Sequence, residues 1–66
     1  MKAISGIEMT KVLENKGWRL LRVHGSHHLY GRGSERIAIP IHGHRILKNG
    51  LQRALMKQAG LSDEDL

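Results

Sequence analysis

Three isoleucines at every second position constrain the fold more than any other feature of the sequence. Ile37, Ile39 and Ile41 alternate with other residues, so in a strand their side chains lie on one face. Three isoleucines exposed together would form an aggregation-prone patch, so other elements must cover this face. The chain therefore needs a sheet that packs one face against helices.

A helix precedes the strands. Ser5 and Glu8 have the spacing of a capping box, in which each side chain accepts from the other residue's backbone N–H. Apolar residues then repeat at helical spacing up to Gly17, which is placed to end the helix in a left-handed conformation. These signals predict a first helix over residues 5–16.

A second helix follows the strands. Asn49 is predicted as its N-cap, with Gln52 at the third position as a weaker form of the same box. Gly60 ends the helix, and Leu61 is expected to fold back onto that end. The predicted apolar face consists of Leu51, Ala54, Leu55 and Ala59.

Three short strands are predicted between the helices, over residues 18–24, 27–31 and 36–41. The turns Gly25-Ser26 and Arg32-Gly33-Ser34 are short, so the strands form an antiparallel meander. The predicted fold is α+β, with the order α-β-β-β-α and both helices on one face of a three-stranded sheet. Residues 1–66 are expected to form a single domain.

The formal net charge of +5 favours a polyanion as the partner. Arg19 and Arg22 are three positions apart, so strand alternation predicts that they lie on opposite faces. No apolar run approaches the roughly 20 residues that span a bilayer, and no apolar segment follows Met1-Lys2 as in a signal peptide. The chain has no cysteine. We therefore expect a soluble, cytoplasmic protein without disulfides.

Five histidines are a high density for 66 residues: His24, His27, His28, His42 and His44. A metal site is disfavoured, because His27 and His28 point to opposite faces of a strand and no thiolate is present. A structural role is the default for the other three. Acid–base catalysis is the third interpretation, since histidine exchanges protons near neutral pH.

RNA would suit such a histidine, because it carries its own nucleophile, the 2′-hydroxyl. One base that removes the hydroxyl proton, helped by cations that neutralise the phosphorane-like transition state, is enough for cleavage. The candidate cations are Arg22, Arg32, Arg36, Arg45 and Lys48.

Three blocks of residues, in order and at matching spacing, resemble one family over nearly the whole chain. They are Gly17-Trp18, Arg22-Val23 and Gly25-Ser26-His27-His28-Leu29-Tyr30; then Ile39-Pro40-Ile41-His42-Gly43 and Leu47-Lys48-x-Gly50; then Leu55-x-Lys57-Gln58-Ala59-Gly60-Leu61-Ser62. The family is the HicA (YcfA-like) mRNA-interferase toxins of bacterial toxin–antitoxin systems.

This resemblance implies a fold like a double-stranded-RNA-binding domain, metal-independent cleavage of mRNA without a cofactor, growth arrest and a HicB-type antitoxin as the partner. It also implies a catalytic histidine in the Gly-Ser-His motif, which by position is His27, with His28 as the second choice. Gly25 and Ser26 would form the turn that lets RNA approach closely.

Strand alternation leaves two arrangements open. If Leu29 faces the helices, His27 is partly buried and held neutral as a base, while His28 and Tyr30 lie on the open face, where Tyr30 stacks on an unpaired base. If the faces are reversed, His28 is the half-buried histidine.

Two other functions fit the sequence. One is a non-catalytic RNA-binding module of the double-stranded-RNA-binding type, which would bind RNA and leave it intact. The other is a protein ligand that is toxic only through capture of its partner. Cleavage specificity, oligomeric state and the general acid do not follow from the sequence.

Overall fold

The computed structural model describes residues 1–66. Two helices flank a three-stranded antiparallel sheet with the strand order β1-β2-β3, which confirms the predicted α-β-β-β-α fold. No helix is long and apolar enough to span a membrane. The elements are α1 (Gly6–Asn15), β1 (Arg19–His24), β2 (His27–Arg32), β3 (Glu35–Pro40), α2 (Asn49–Ala59) and a 3₁₀ turn (Asp63–Asp65).

Helix α1 begins and ends at the residues that the sequence indicates. The Glu8 N–H donates to the Ser5 hydroxyl over 3.1 Å, and the Ser5 N–H donates to the Glu8 carboxylate over 3.0 Å. At the other end Gly17 has φ +89°, and the Trp18 N–H bonds the Leu13 carbonyl over 3.0 Å. Both ends are therefore satisfied by local bonds, as the capping-box and Schellman patterns predict.

Helix α2 differs from the prediction at its start. Lys48, not Asn49, is the N-cap, and no side chain caps the helix. Gln52 is fully buried, and its amide bonds the Ile4 N–H over 3.1 Å and the Lys2 carbonyl over 2.7 Å. The predicted capping role of Asn49 and Gln52 is wrong because Gln52 is used to fasten the N-terminal segment to α2.

The buried face of α2 is also rotated from the predicted one. Leu51 is 38% exposed and Ala54 is exposed, because the core takes the neighbouring positions instead. The prediction wrongly included Leu51 and Ala54 and omitted Met56, and packing against the N-terminal segment also draws in polar Gln52. The buried residues of α2 are Gln52, Leu55, Met56 and Ala59.

The end of α2 and the chain terminus are tied to α1. Gly60 has φ +69°, and the Leu61 N–H donates to the Met56 carbonyl over 2.8 Å, which confirms the predicted helix stop. The acidic turn that follows places the Asp65 carboxylate 2.7 Å from the Lys16 ammonium. This contact lowers the pKa of Asp65.

A bulge at Leu21 interrupts β1. Arg19 pairs with Gly31 and Arg22 pairs with Leu29, so Leu21 is an extra residue. A methyl group built on Gly31 would lie 2.6 Å from Leu21 Cδ1, so only glycine leaves room for Leu21 to lie across β2. Both arginines consequently share one face. The prediction of opposite faces was wrong because it assumed an uninterrupted strand.

The core lies between the helices and the β3 side of the sheet. Ile37 and Ile39 are buried on the face that both helices cover, and Ile41 is half-buried just after the strand, as predicted. Strand β1 is left uncovered: Leu20 and Val23, on the same face, are 46% and 53% exposed. The helices therefore cover only part of this face, and the sheet's other face is open.

Candidate functional site

The turn between β1 and β2 is built on Gly25. Its φ is +59°, whereas Ser26 does not have a positive φ, as a type II′ hairpin turn requires. The turn is flanked by His24 and His27, which pair directly across the strands. The Ser26 carbonyl accepts from the Ile41 N–H over 2.6 Å. This bond fastens the turn to the chain that leaves β3.

His27 and His28 lie on opposite faces. His28 lies on the helix-covered face, half-buried, with Val23 and Ile39 as its neighbours across the two ladders. His27 lies on the open face, exposed, beside Pro40 on β3. Of the two arrangements that alternation allows, the structure has the second. The expected partial burial of His27 is therefore wrong, because the pleat turns His28 inward.

Tyr30 lies on the same face as His28 and is 2% exposed. Its hydroxyl donates to the Glu14 carboxylate over 2.8 Å. Burial, and then this hydrogen bond, raise the pKa of the phenol. The predicted placement of Tyr30 on the open face, where it would stack on an RNA base, is wrong because α1 covers the ring.

Three arginines lie on the open face of the sheet. Arg22 pairs with Leu29, while Arg19 and Arg36 pair with Gly31. Neither Arg19 nor Arg22 makes an ion pair. The only acidic residue in the strands, Glu35, faces the other way. The open face is thus cationic and has no carboxylate.

Arg32 lies on the helix-covered side, at the opposite end of β2 from the histidines. Its guanidinium is 4.7 Å from the centre of the Trp18 ring. The same group bonds the Lys16 carbonyl over 3.3 Å and the Glu35 carboxylate over 3.4 Å. The structure therefore does not bring Arg32, a predicted RNA ligand, together with the histidines.

A groove of about 340 Å³ lies between the end of β3 and the start of α2. It contains two of the predicted cations, Arg45 and Lys48, which are both exposed. Sequence reasoning missed its apolar part, although Ile46 in a cationic loop was a signal for it. The groove is lined by Pro40, His42, Arg45, Ile46, Leu47, Lys48 and Leu51.

Comparison with known families gives one match. The family described as HicA toxin of bacterial toxin–antitoxin matches residues 6–61 of the 66. The chain belongs to the HicA toxin family. Membership gives the chain a toxin role and implies an antitoxin partner and an RNA substrate. Comparison with curated proteins gives no match.

The matched range of this HicA protein includes the turn, both adjacent histidines and the groove. His42 and His44 lie exposed in the loop that leaves β3. No three histidine or carboxylate side chains converge on a point where they could hold a metal ion. The chemistry that the arrangement offers is therefore imidazole with nearby guanidinium and ammonium groups.

Proposed function

We propose that this HicA toxin is an mRNA endonuclease whose base is a histidine of the Gly25-Ser26 turn. The base removes the proton from a 2′-hydroxyl, and the oxygen attacks the adjacent phosphorus. The bond from phosphorus to the 5′-oxygen breaks, and that oxygen takes a proton from water or from another histidine. The products end in a 2′,3′-cyclic phosphate and a 5′-hydroxyl.

The half-buried position of His28 is the observation that carries this proposal. His28 pairs with Val23 on β1 and with Ile39 on β3, and Val23 is 53% exposed, so substrate can approach from the β1 side. A base confined in this way spends more time in a reactive orientation than a freely rotating surface residue. The family resemblance favours His27 by its position in the motif, whereas burial in the structure favours His28.

His27 is the second candidate. It is exposed on the open face, where Arg22 and Arg36 also lie. Arg22 would stabilise the charge that develops on the phosphate, which is commonly the largest catalytic effect, whereas Arg36 lies at the other end of the sheet. Burial and charge thus favour different histidines, and mutation separates them.

The cations that support cleavage are proposed to be Arg22, Arg45 and Lys48, and Arg36 is proposed to bind RNA farther along the open face, because its guanidinium bonds the Gly33 and Glu35 carbonyls. All four are exposed and none forms an ion pair. Arg32 and Tyr30 are not in this set, because one binds Trp18 and Glu35 and the other is buried. With a net charge of +5, the protein would bind RNA more weakly as salt rises.

The experiment that tests the proposal is cleavage of single-stranded RNA by purified protein in EDTA. We expect products with a 2′,3′-cyclic phosphate, and we expect no cleavage at a 2′-deoxy nucleotide, because the nucleophile is then absent. A strict requirement for a divalent ion would contradict the mechanism. Binding that leaves RNA intact would instead favour the non-catalytic RNA-binding module.

We further propose that the antitoxin is of the HicB type and that both proteins act in the cytoplasm, where mRNA is found. The exposed Leu20 and Val23 beside His28 offer apolar contact area on the uncovered part of the helix-covered face, and an acidic partner bound at this edge of the sheet would also reach the arginines of the open face. Binding there would cover the histidine and stabilise a small fold. Co-purification with a HicB protein that abolishes RNA cleavage would support this partner, and continued cleavage in the complex would contradict it.

A further inference from the structure

The groove between β3 and α2 has exposed apolar side chains. Ile46 is 51% exposed and Leu51 is 38% exposed, and both line the groove. Its volume of about 340 Å³ is at the low end of the range for small-ligand sites. This size and this apolar surface suit a single planar group such as a nucleobase.

The rest of the groove is cationic. Arg45 and Lys48 line it, His42 adds an imidazole, and no lining residue is acidic. The first turn of α2 also has no acidic residue, and its N-cap Lys48 makes no side-chain bond to the helix. A ligand with one apolar face and one phosphate would therefore match both parts of the groove.

The groove lies next to the histidine turn. Pro40, which lines it, pairs directly with His27 on β2. The next residue, Ile41, donates its N–H to the Ser26 carbonyl over 2.6 Å. An RNA chain that leaves the groove along the end of the sheet thus reaches the Gly25-Ser26 turn without crossing a helix.

We propose that this groove binds one nucleotide of single-stranded RNA near the cleaved bond. The base packs on Ile46 and Leu51, and the phosphate binds Arg45 and Lys48. Paired bases are stacked on both faces inside a duplex, so only an unpaired base can pack in this way. The inference rests on the proposed function, because RNA is the substrate there.

Binding of a 2′-O-methyl tetranucleotide tests the groove without cleavage, because this probe has no free 2′-hydroxyl. In the intact chain we expect the largest changes in backbone amide NMR signals at residues 45–51. Large changes confined to the open face of the sheet would overturn the proposal and leave the groove to a protein partner. A duplex of the same sequence should not shift these signals, and equal shifts would also overturn it.

A charge-matched pair of variants sharpens the test. Arg45→Ala with Lys48→Ala should weaken binding about 10-fold or more and lower the salt slope by about 1.4, at roughly 0.7 for each lost phosphate contact. The control is Arg53→Ala with Lys57→Ala, which removes the same charge from a second groove of about 370 Å³ along α2. Equal losses of RNA affinity in both double variants would mean that the positive charge attracts RNA without a specific site, and this result would overturn the subsite.

The apolar part has its own matched pair. Leu51→Ser should weaken binding several-fold with an unchanged salt slope, because it removes contact area and no charge. Leu21→Ser, at a leucine on β1 that is 50% exposed against 38% for Leu51, is the control. An equal loss in the control would overturn base packing in the groove. If the protein cleaves RNA but the groove signals do not respond to the probe, the subsite is wrong and the proposed function stands. If the groove signals respond but the protein does not cleave RNA, the subsite stands and the proposed nuclease function is wrong.

Discussion

The two hairpin turns of the sheet have the same sequence and the same backbone, yet different surroundings. Gly25-Ser26 joins β1 to β2, Gly33-Ser34 joins β2 to β3, and φ is +59° at both glycines. The two turns lie at opposite ends of β2. The residues that flank them are His24 and His27 at the first turn, and Arg32 and Glu35 at the second.

Side chains close the second turn. Arg32 bonds Glu35 over 3.4 Å and packs against Trp18, and Arg36 donates to the Gly33 carbonyl over 2.9 Å. The first turn has no side-chain hydrogen bond, and a backbone bond from Ile41 to Ser26 holds it in addition to the β1–β2 ladder. The comparison teaches that side-chain contacts stabilise one turn of the sheet, whereas the other turn leaves its histidines without side-chain hydrogen bonds, at the end where we propose that RNA is cleaved.

The strongest test of this division is a pair of histidine variants. His28→Ala should lower the RNA cleavage rate by about 10²–10⁴-fold, the usual contribution of a general base. His27→Ala should have a much smaller effect if it only binds substrate. Both rates are measured with purified protein of confirmed fold, together with growth arrest on induced expression. If only His27→Ala abolishes both activities, the base lies on the open face instead.

A pair of glycine variants compares the turns directly. Both glycines have positive φ, and nothing lies within 4 Å of an added Cβ at either one. Alanine should therefore cost about 1–2 kcal/mol of unfolding free energy at each site, the penalty for an L-residue with positive φ. Only Gly25→Ala should also slow cleavage, because it shifts the histidines. Equal slowing by Gly33→Ala would remove the functional difference between the turns.

Local signals in the sequence predicted both ends of α1 and the end of α2 correctly, but not the start of α2. The Ser5–Glu8 box and the stops at Gly17 and Gly60 depend on bonds between residues at most five positions apart, so they can be recognised from spacing alone. The three strands and their antiparallel order also followed from short turns. This part of the fold needed no knowledge of distant contacts.

The face of each site residue depended on distant contacts and could not be predicted. Tyr30 is turned inward by its bond with Glu14, sixteen positions away. The bulge at Leu21 depends on the space that Gly31 leaves in another strand. The contact with Glu14 goes with the face that His28 and Tyr30 share, and the bulge decides which β1 side chains lie on that face. The motif was therefore recognisable from the sequence, but its arrangement was not.

Two arginine variants compare the two ends of the sheet through smaller expected effects. Arg32→Ala should lower the unfolding free energy by about 1 kcal/mol, since a cation–π contact contributes about 0.5–1 kcal/mol and an exposed ion pair about 0.2–1 kcal/mol. Its cleavage rate should not change. Arg22→Ala should keep its stability but lower the salt slope of RNA binding by about 0.7. Urea unfolding measures the stability of each variant, and RNA titrations at several salt concentrations measure its salt slope. A lower salt slope for Arg32→Ala, or a lower stability for Arg22→Ala, would contradict these roles.

The smallest expected effect concerns pH at the Arg32 end, where Lys16 also binds Asp65. The hydrogen bond with Lys16, and then that with the Ser62 N–H, lower the pKa of Asp65 from its ordinary value of 3.8. A carboxylate whose pKa is lower in the folded state stabilises the fold at any pH above its pKa in the unfolded state. This stabilisation is lost as the pH falls through the pKa of the folded state. Asp65→Asn should therefore lower the urea midpoint at pH 7, and the difference from wild type should vanish toward pH 2. A difference that persists in acid would mean that the charge of Asp65 is not what stabilises the turn.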